Sequence, residues 1–175
     1  MKSVTCAIKG ISPLLMNRFP LVAVDGLSKK PADEQAEQAA YRSKDGGLFV
    51  PGINLQRALV SAATFSKGKG RASLQKVVAA CVIIAPEELS LETKTFAVDS
   101  RAVVVPATKG RIVRHRPRLD SWEVEFTIQY DETLLKESEV RRIVDDAGLR
   151  VGLLDFRPER KGPFGRFMVT NWRAS

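Results

Sequence analysis

The chain has 175 residues, of which 44% are hydrophobic and 27% are charged, a balance that is typical of a globular domain and excludes a disordered polymer. A chain of this length buries enough apolar surface to fold as one domain, over residues 1–175, without a metal or a disulfide staple. Its formal net charge of +8 at pH 7 favours a polyanionic partner.

Neither a membrane-spanning segment nor a secretory leader is predicted, because no apolar run approaches the roughly 20 residues that a spanning helix needs. Cys6 and Cys81 each lie within an apolar run, where a thiol packs like a small hydrophobic side chain. We therefore expect a cytoplasmic protein with no membrane partner, no metal and no cofactor.

The first half of the chain predicts one strand and two helices. Residues 2–9 alternate between apolar and polar side chains, as a half-buried strand does. After an irregular stretch, residues 31–42 favour a short helix, and residues 48–52 favour a short extended piece followed by a turn. Asn54 is then a candidate N-cap for a helix whose apolar face runs to Phe65.

The second half is richer in strand signals. Residues 67–71 predict a flexible basic loop, and the apolar run 77–85 favours a strand. Residues 102–105 and 111–116 flank a turn and predict a basic hairpin, while strict alternation over 122–130 gives the clearest strand of the chain. The apolar spacing from 138 to 147 predicts an amphipathic helix that Gly148 ends in a left-handed cap, and residues 165–172 predict the last strand.

The order of these elements predicts an α+β domain of the ferredoxin-like (RRM-like) βαββαβ type. In that arrangement the sheet is antiparallel, both helices lie on one face, and the other face is free. Loops and a hairpin are inserted between the core elements. Because many unrelated functions use this fold, the function has to be sought in the site.

The positive charge is concentrated in three windows, residues 67–76, 101–118 and 157–173, which contain Glu159 as their only acid. Arginine binds phosphate oxygens with two parallel hydrogen bonds and stacks on exposed bases, so these windows favour nucleic acid as the polyanion. For residues 111–118 the alternative is an edge strand whose charges discourage aggregation. The predicted nucleic-acid-binding residues are Lys67, Lys69, Arg71, Arg111, Arg114, His115, Arg116, Arg118, Arg157, Arg160, Lys161 and Arg166.

The glycine-rich stretch 148–167 is a second candidate binding element. Gly152, Gly162 and Gly165 would let the backbone approach a ligand closely, and their amides would donate to phosphates beside the basic residues of the same stretch. It is not a Walker loop, because the Gly-Lys-Ser/Thr ending is absent. The alternative is a structural connection, in which Phe156 and Phe164 pack in the core instead of stacking on bases.

Catalysis is less well supported than binding. His115 is the only histidine, which excludes a two-histidine acid–base mechanism and a metal site built from several His or Cys ligands. The acids at positions 99, 120, 131 and 155 lie far apart in sequence, without the clustering of a two-metal nuclease. We predict a non-enzymatic protein that binds single-stranded nucleic acid, RNA more than DNA. The alternatives are a metal-independent endoribonuclease that uses His115, and an assembly protein that meets an acidic protein partner.

Two of these stretches resemble a known family. The sequence LFVPGINL at residues 48–55, followed by Ala58 and Leu59, is similar to the turn and helix start of the RAMP superfamily of CRISPR-associated RNA-binding proteins, particularly the backbone subunits of effector complexes. Residues 152–167 occupy the place of that family's C-terminal glycine-rich loop. The resemblance implies ferredoxin-like architecture and binding of a CRISPR-RNA-like single strand by repeated copies. It carries over no catalytic residue.

The chain departs from the family's pattern in two places. Arg57 stands where the family often has a second glycine after the turn, and residues 157–161 interrupt the glycine-rich loop with charged side chains. The chain is also shorter than the usual backbone subunit. A stand-alone bacterial or phage-encoded relative therefore fits as well as a component of a CRISPR complex.

Overall fold

Residues 1–68, 70 and 72–174 are described by the computed structural model of the protein. Within this part of the chain, no helix is both long enough and apolar enough to cross a membrane. Its strands and α-helices are β1 (Lys2–Gly10), β2 (Leu14–Leu15), α1 (Ala32–Gln38), β3 (Phe49–Pro51), α2 (Gly52–Ala62), α3 (Gln75–Cys81), β4 (Val82–Ala85), β5 (Glu88–Ser90), β6 (Ala97–Val104), β7 (Arg111–Leu119), β8 (Glu123–Tyr130), α4 (Glu137–Asp146) and β9 (Phe167–Ala174).

Four strands form the main sheet in the order β4-β8-β1-β9, and every neighbouring pair is antiparallel. Since α2 lies between β1 and β4 and α4 between β8 and β9, this is the predicted ferredoxin-like α+β fold. Apolar and polar side chains alternate along β1, and the helices cover the face that carries the apolar ones. Val4, Cys6 and Ile8 of β1 are fully buried in one apolar cluster with Leu55 and Leu59 of α2.

On the opposite face of the main sheet, the central strands β1 and β8 present mostly polar side chains. Glu123 and Glu125 of β8 project from this face and form ion pairs with Lys9 and Arg173, at 3.2 and 3.1 Å. The residues that β1 and β8 place on this face include no aromatic ring. The two cations named here are already paired, and β1 and β8 offer no ring on which a base could stack, so the binding surface has to be sought elsewhere.

Two insertions extend the ferredoxin-like core. The first follows β1 and contains β2, α1 and β3; the second follows β4 and contains β5 and the hairpin β6–β7. Strands β2, β7 and β6 form a three-stranded sheet, and β3 pairs with β5. The predicted basic hairpin is therefore confirmed, and it is longer than expected because β6 begins at Ala97 and β7 ends at Leu119.

Three predicted boundaries are wrong. The helix that Asn54 was expected to cap begins at Gly52, with Pro51 in the N-cap position, so Asn54 lies in its first turn. The helix predicted over 31–42 is limited to Ala32–Gln38. The apolar run 77–85 divides into the end of α3 and the strand β4, because apolar side chains in a short run satisfy either period.

The predicted left-handed cap at Gly148 is also wrong. Gly148 lies in a π-helical turn over Ala147–Val151, and the residue with a left-handed φ, 76°, is Gly152. A Cβ atom at position 148 would lie 2.2 Å from the carbonyl oxygen of Phe167. Glycine is needed there so that the end of the helix can pack directly against the backbone of β9.

Candidate nucleic-acid interface

A cationic cleft of about 350 Å³ lies between α2 and the loop that joins α4 to β9. Three arginines and one glutamate give its lining a net positive charge. The polar residues that line it are Asn54, Arg57 and Ser61 of α2 and Arg157, Glu159 and Arg160 of the loop.

The cleft residues of helix α2 lie on one side of the helix because they follow its repeat of 3.6 residues per turn. Asn54, Arg57 and Ser61 follow each other at helical spacings of three and four residues, on the side away from the buried Leu55 and Leu59. Arg57 is exposed, and no described carboxylate lies within 4.0 Å of its guanidinium. Its donors are therefore free for a ligand.

On the loop side, the two arginines differ in availability. Arg157 donates to Glu159 from Nε and Nη2, at 3.0 and 2.6 Å, and to the carbonyl oxygen of Leu154 from Nη1 at 2.8 Å. Burial acts to raise the pKa of Glu159, but donors from Ser61 and Arg157 outweigh it and hold that pKa below its usual range. Arg160 is exposed and has no ion pair with a described acid. The cleft thus presents two free guanidiniums, from Arg57 and Arg160.

The glycines of this loop serve the protein and not a ligand, contrary to the first interpretation of the sequence. A Cβ atom would lie 1.9 Å from the carbonyl oxygen of Phe156 at position 162 and 2.0 Å from that of Leu153 at position 165. The amides of Gly152, Gly162 and Gly165 donate within the chain at 2.8, 3.0 and 2.8 Å. The close approach that glycine allows is between two stretches of this backbone, and these amides are not free for phosphate.

The basic hairpin divides into an outer and an inner half. Arg111 and Arg114, in the outer half, are exposed and have no ion pair with a described acid. In the inner half, Arg116 is 5% exposed and forms an ion pair with Asp155, and Arg118 donates to Asp120 at 2.7 Å. We therefore leave Arg116 and Arg118 out of the interface.

The segment 111–118 contains no acid, but acids from other parts of the chain pair with its inner arginines. Asp99 of β6 accepts from Arg101 at 2.7 Å and lies 3.5 Å from Nη1 of Arg118 and 3.9 Å from Nη2 of Arg116. The hydrogen bond from Arg101 is the main cause that holds the pKa of Asp99 below its usual range, against the opposing effect of burial. Tertiary pairing thus neutralises charge that looked segregated in the sequence.

The structure does bring the hairpin and the glycine-rich loop together. The guanidinium carbon of Arg101 lies 4.8 Å from the ring centre of Phe164, and that of Arg118 lies 5.6 Å from it. Phe164 is buried and lies 5.8 Å from the ring of Phe156. The aromatic rings of the loop are therefore packing partners for the base of the hairpin, which settles the alternative that the sequence left open for Phe164.

The remaining predicted residues that the structure describes do not line the cleft. Lys67 is exposed beside a backbone bridge to Ser73, and Lys161 and Arg166 are exposed on the glycine-rich loop. His115 is half-buried in β7, and its Nδ1 lies 2.7 Å from the hydroxyl oxygen of Ser100. Two further residues that the sequence predicted to bind nucleic acid, Lys69 and Arg71, lie outside the part of the chain that the structure describes.

Sequence reasoning missed Asn54 and Arg57 as candidate site residues. Arg57 was noted as a departure from a family glycine, and Asn54 as a helix cap. The polar spacing 54, 57, 61 on the solvent side of a predicted helix was the available signal, because it places three hydrogen-bonding side chains on one stripe.

No protein-family model matches the chain, and no curated protein matches it. Among solved structures, the chain is similar to one chain of the cryo-electron microscopy structure of the type III-B Cmr-beta bound to cognate target RNA, with a TM-score of 0.60 and 11% sequence identity. The similarity covers 99% of this chain and 60% of that one. At this identity the likeness concerns the fold alone.

Proposed function

We propose that the chain is a RAMP-like protein that binds single-stranded nucleic acid, RNA more than DNA, without cleaving it. The observation that carries this proposal is the pair of free guanidiniums, Arg57 and Arg160, on the two walls of one cleft. A phosphate backbone that runs along the cleft meets a donor from each wall. Arg114 of the hairpin extends the positive surface beyond the cleft.

Two further lines of support agree with RNA as the ligand. The structural neighbour belongs to a complex that was solved with target RNA bound, and the turn and helix start at residues 48–55 resemble those of RAMP proteins.

Binding without cleavage is the better proposal because of what surrounds His115. General acid–base cleavage of RNA removes a proton from the attacking hydroxyl and gives one to the leaving oxygen, so a histidine works best with a second acid–base group beside it. His115 is hydrogen-bonded to Ser100, and its sequence neighbours are the cations Arg114 and Arg116, so no carboxylate or second histidine adjoins it along β7.

Fluorescence anisotropy with a labelled single-stranded RNA tests the proposal. With Arg57, Arg160 and Arg114 each neutralising one phosphate, the logarithm of the affinity should fall with that of the salt concentration with a slope of about −2. The affinity should then drop about 20-fold between 50 and 200 mM salt. The RNA should stay intact in a chelating buffer. Absent or salt-insensitive binding would contradict the proposal, and cleavage that His115→Ala abolishes would establish the nuclease instead.

We also propose that copies assemble head to tail along the strand, through the outer half of the hairpin. The cross-strand pairs Ala102 with Val113 and Val104 with Arg111 place these four side chains on one face, here called the arm face. Val104 and Val113 are 56% and 57% exposed. Two large exposed apolar residues beside a cation make this face suited to an apolar surface with an acidic rim.

The chain carries a surface of that kind, the β4 groove, with a volume of about 720 Å³. Ile53, Ile83 and Ile84 contribute to its apolar lining, and Glu87 and Glu88 lie on its rim. The side chain of Gln56 already donates to the carbonyl of Val82 and accepts from the amide of Ile84 on the outer edge of β4. The groove therefore offers side chains and not a free strand edge. The arm face of a second copy, with Arg111 against the acidic rim, is its proposed occupant.

A mixing experiment tests this assembly. Sedimentation velocity should show concentration-dependent oligomers for the unchanged protein and monomers for Val113→Asp and for Ile83→Asp. An equal mixture of the two variants should form pairs and nothing longer, because one intact arm face meets one intact groove. Leu134→Asp, at an exposed leucine outside both surfaces, is the matched control and should assemble like the parent. Monomers in the mixture, or oligomers of Val113→Asp alone, would overturn the assembly.

A further inference from the structure

A smaller cavity of about 160 Å³, here called the annex, adjoins the cationic cleft. The two cavities share Asn54, Leu154 and Arg157 in their linings. The annex adds Asn17, Tyr41 and Asp155. A strand that lies in the cleft therefore passes the mouth of a polar pocket that contains a carboxylate.

The carboxylate of Asp155 is held in a fixed position. One oxygen, Oδ2, accepts a hydrogen bond from the buried Arg116, and the backbone amide of Asp155 donates to the carbonyl of Leu15 at 3.0 Å. The residues on either side, Leu154 and Phe156, have left-handed φ angles of 58° and 49°, which side chains other than glycine rarely adopt. The other oxygen, Oδ1, has no donor within hydrogen-bond distance among the described residues.

The charge of a carboxylate beside a phosphate-binding cleft limits which groups of a nucleotide can bind next to it. It repels phosphate and accepts hydrogen bonds, so its partner is a neutral donor of the nucleotide. Such donors are the ribose 2′-hydroxyl, the amino groups of bases and the ring N–H groups of uracil and guanine. Arg57 lines the cleft, and Asn54, three residues before it on α2, lines both cavities. The sugar is bonded directly to the phosphate and the base is not, so the 2′-hydroxyl is the donor that a phosphate bound at Arg57 brings nearest to the annex.

We propose that the annex reads the ribose 2′-hydroxyl and so makes the cleft selective for RNA over DNA. Asp155 accepts a hydrogen bond from the hydroxyl, and the side-chain amides of Asn54 and Asn17 donate to the hydroxyl oxygen. Arg116 is then a positioning residue, whose buried charge fixes the carboxylate at the mouth of the cleft. The inference rests on the proposed function, since it needs a single strand in the cleft.

The test compares oligouridine with oligodeoxyuridine, which have the same base and differ in the 2′-hydroxyl. The unchanged protein should bind the ribose form at least about tenfold more tightly, the effect of one charge-assisted hydrogen bond. Asp155→Ala should lose this preference by weakening the ribose form alone, while the deoxy form binds as before or more tightly because a repulsive charge is gone. A merely structural role of Asp155 would weaken both forms equally.

Asn17→Ala leaves the pair between Arg116 and Asp155 intact and serves as the second variant, with folding followed by thermal melting. It should reduce the ribose preference about threefold or more without a change in the melting temperature. Equal affinity of the unchanged protein for both oligonucleotides would overturn the inference. It would also be overturned if the variants kept the ribose preference and changed their preference among bases instead. Failure of the protein to bind either oligonucleotide would instead overturn the proposed function.

Discussion

Reversal of both free guanidiniums of the cleft, in the variant Arg57→Glu/Arg160→Glu, should weaken the binding of single-stranded RNA by about 100-fold at 100 mM salt. Each arginine contributes a charge-assisted hydrogen bond to phosphate of roughly 1.5 kcal/mol, and two such bonds correspond to slightly more than 100-fold in affinity. The salt slope should also become shallower by about 1.4, because two fewer phosphates are neutralised. Anisotropy titrations at several salt concentrations measure both quantities.

The matched control is Lys44→Glu/Lys94→Glu, which lowers the net charge by the same amount at two exposed lysines that do not line the cleft. It should retain affinity within about threefold at 100 mM salt, where charges further apart than about 10 Å are largely screened. Equal losses in the two double variants would show that binding follows the net charge of the protein and that the cleft has no special role.

The substitution Gly165→Ala should destabilise the protein by about 3 kcal/mol. Gly165 has a φ of 73°, and an added Cβ would lie 2.0 Å from the carbonyl oxygen of Leu153 and 2.8 Å from its amide nitrogen. The left-handed conformation costs a non-glycine residue about 1–2 kcal/mol, and the overlap with backbone adds about 1–3 kcal/mol. Neither neighbour yields easily, because Leu153 donates to the carbonyl of Gly165 at 2.9 Å and Gly165 donates to that of Pro13 at 2.8 Å. Urea denaturation measures the change in the free energy of unfolding.

Gly46→Ala separates the two causes. Gly46 has a similar φ of 85°, but nothing lies within 4 Å of a Cβ placed there, so the expected loss is limited to about 1–2 kcal/mol for the conformation. If Gly165→Ala proved as stable as Gly46→Ala and yet failed to bind RNA, the glycine would serve a ligand after all. The structural role assigned to the glycine-rich loop would then be wrong.

The elements that could be predicted from the sequence are those whose signal is local. Alternation over residues 122–130 identified β8 almost to the residue, and the apolar spacing after residue 138 identified α4, because each pattern repeats within a single element. The order of these elements was then enough to predict the ferredoxin-like arrangement. Where a run was short, as over 77–85, either period fitted, and the boundary between α3 and β4 was missed.

The candidate site was harder to predict because it depends on distant pairs. Arg116 was expected to meet phosphate since no acid lies within residues 111–118, but its partner Asp155 is 39 positions away. Arg118 pairs with Asp120, just beyond that segment, and also with the more distant Asp99 across the hairpin. Conversely, Arg57 became a candidate only when the fold placed it opposite Arg160. Counting charges along the sequence shows how many cations a segment has. Which of them are neutralised by ion pairs depends on the fold.

The division of the β6–β7 hairpin into a clamped base and an exposed outer half has a consequence for how this protein can diverge. The base is fixed by the pair between Arg116 and Asp155 and by the stacking on Phe164, whereas the outer half contributes nothing to the apolar core. Insertions or deletions near the turn therefore leave the stability of the domain untouched. Each added pair of residues lengthens the hairpin by about 3.4 Å, so in the proposed assembly the reach of one copy towards the next can change in evolution independently of the fold.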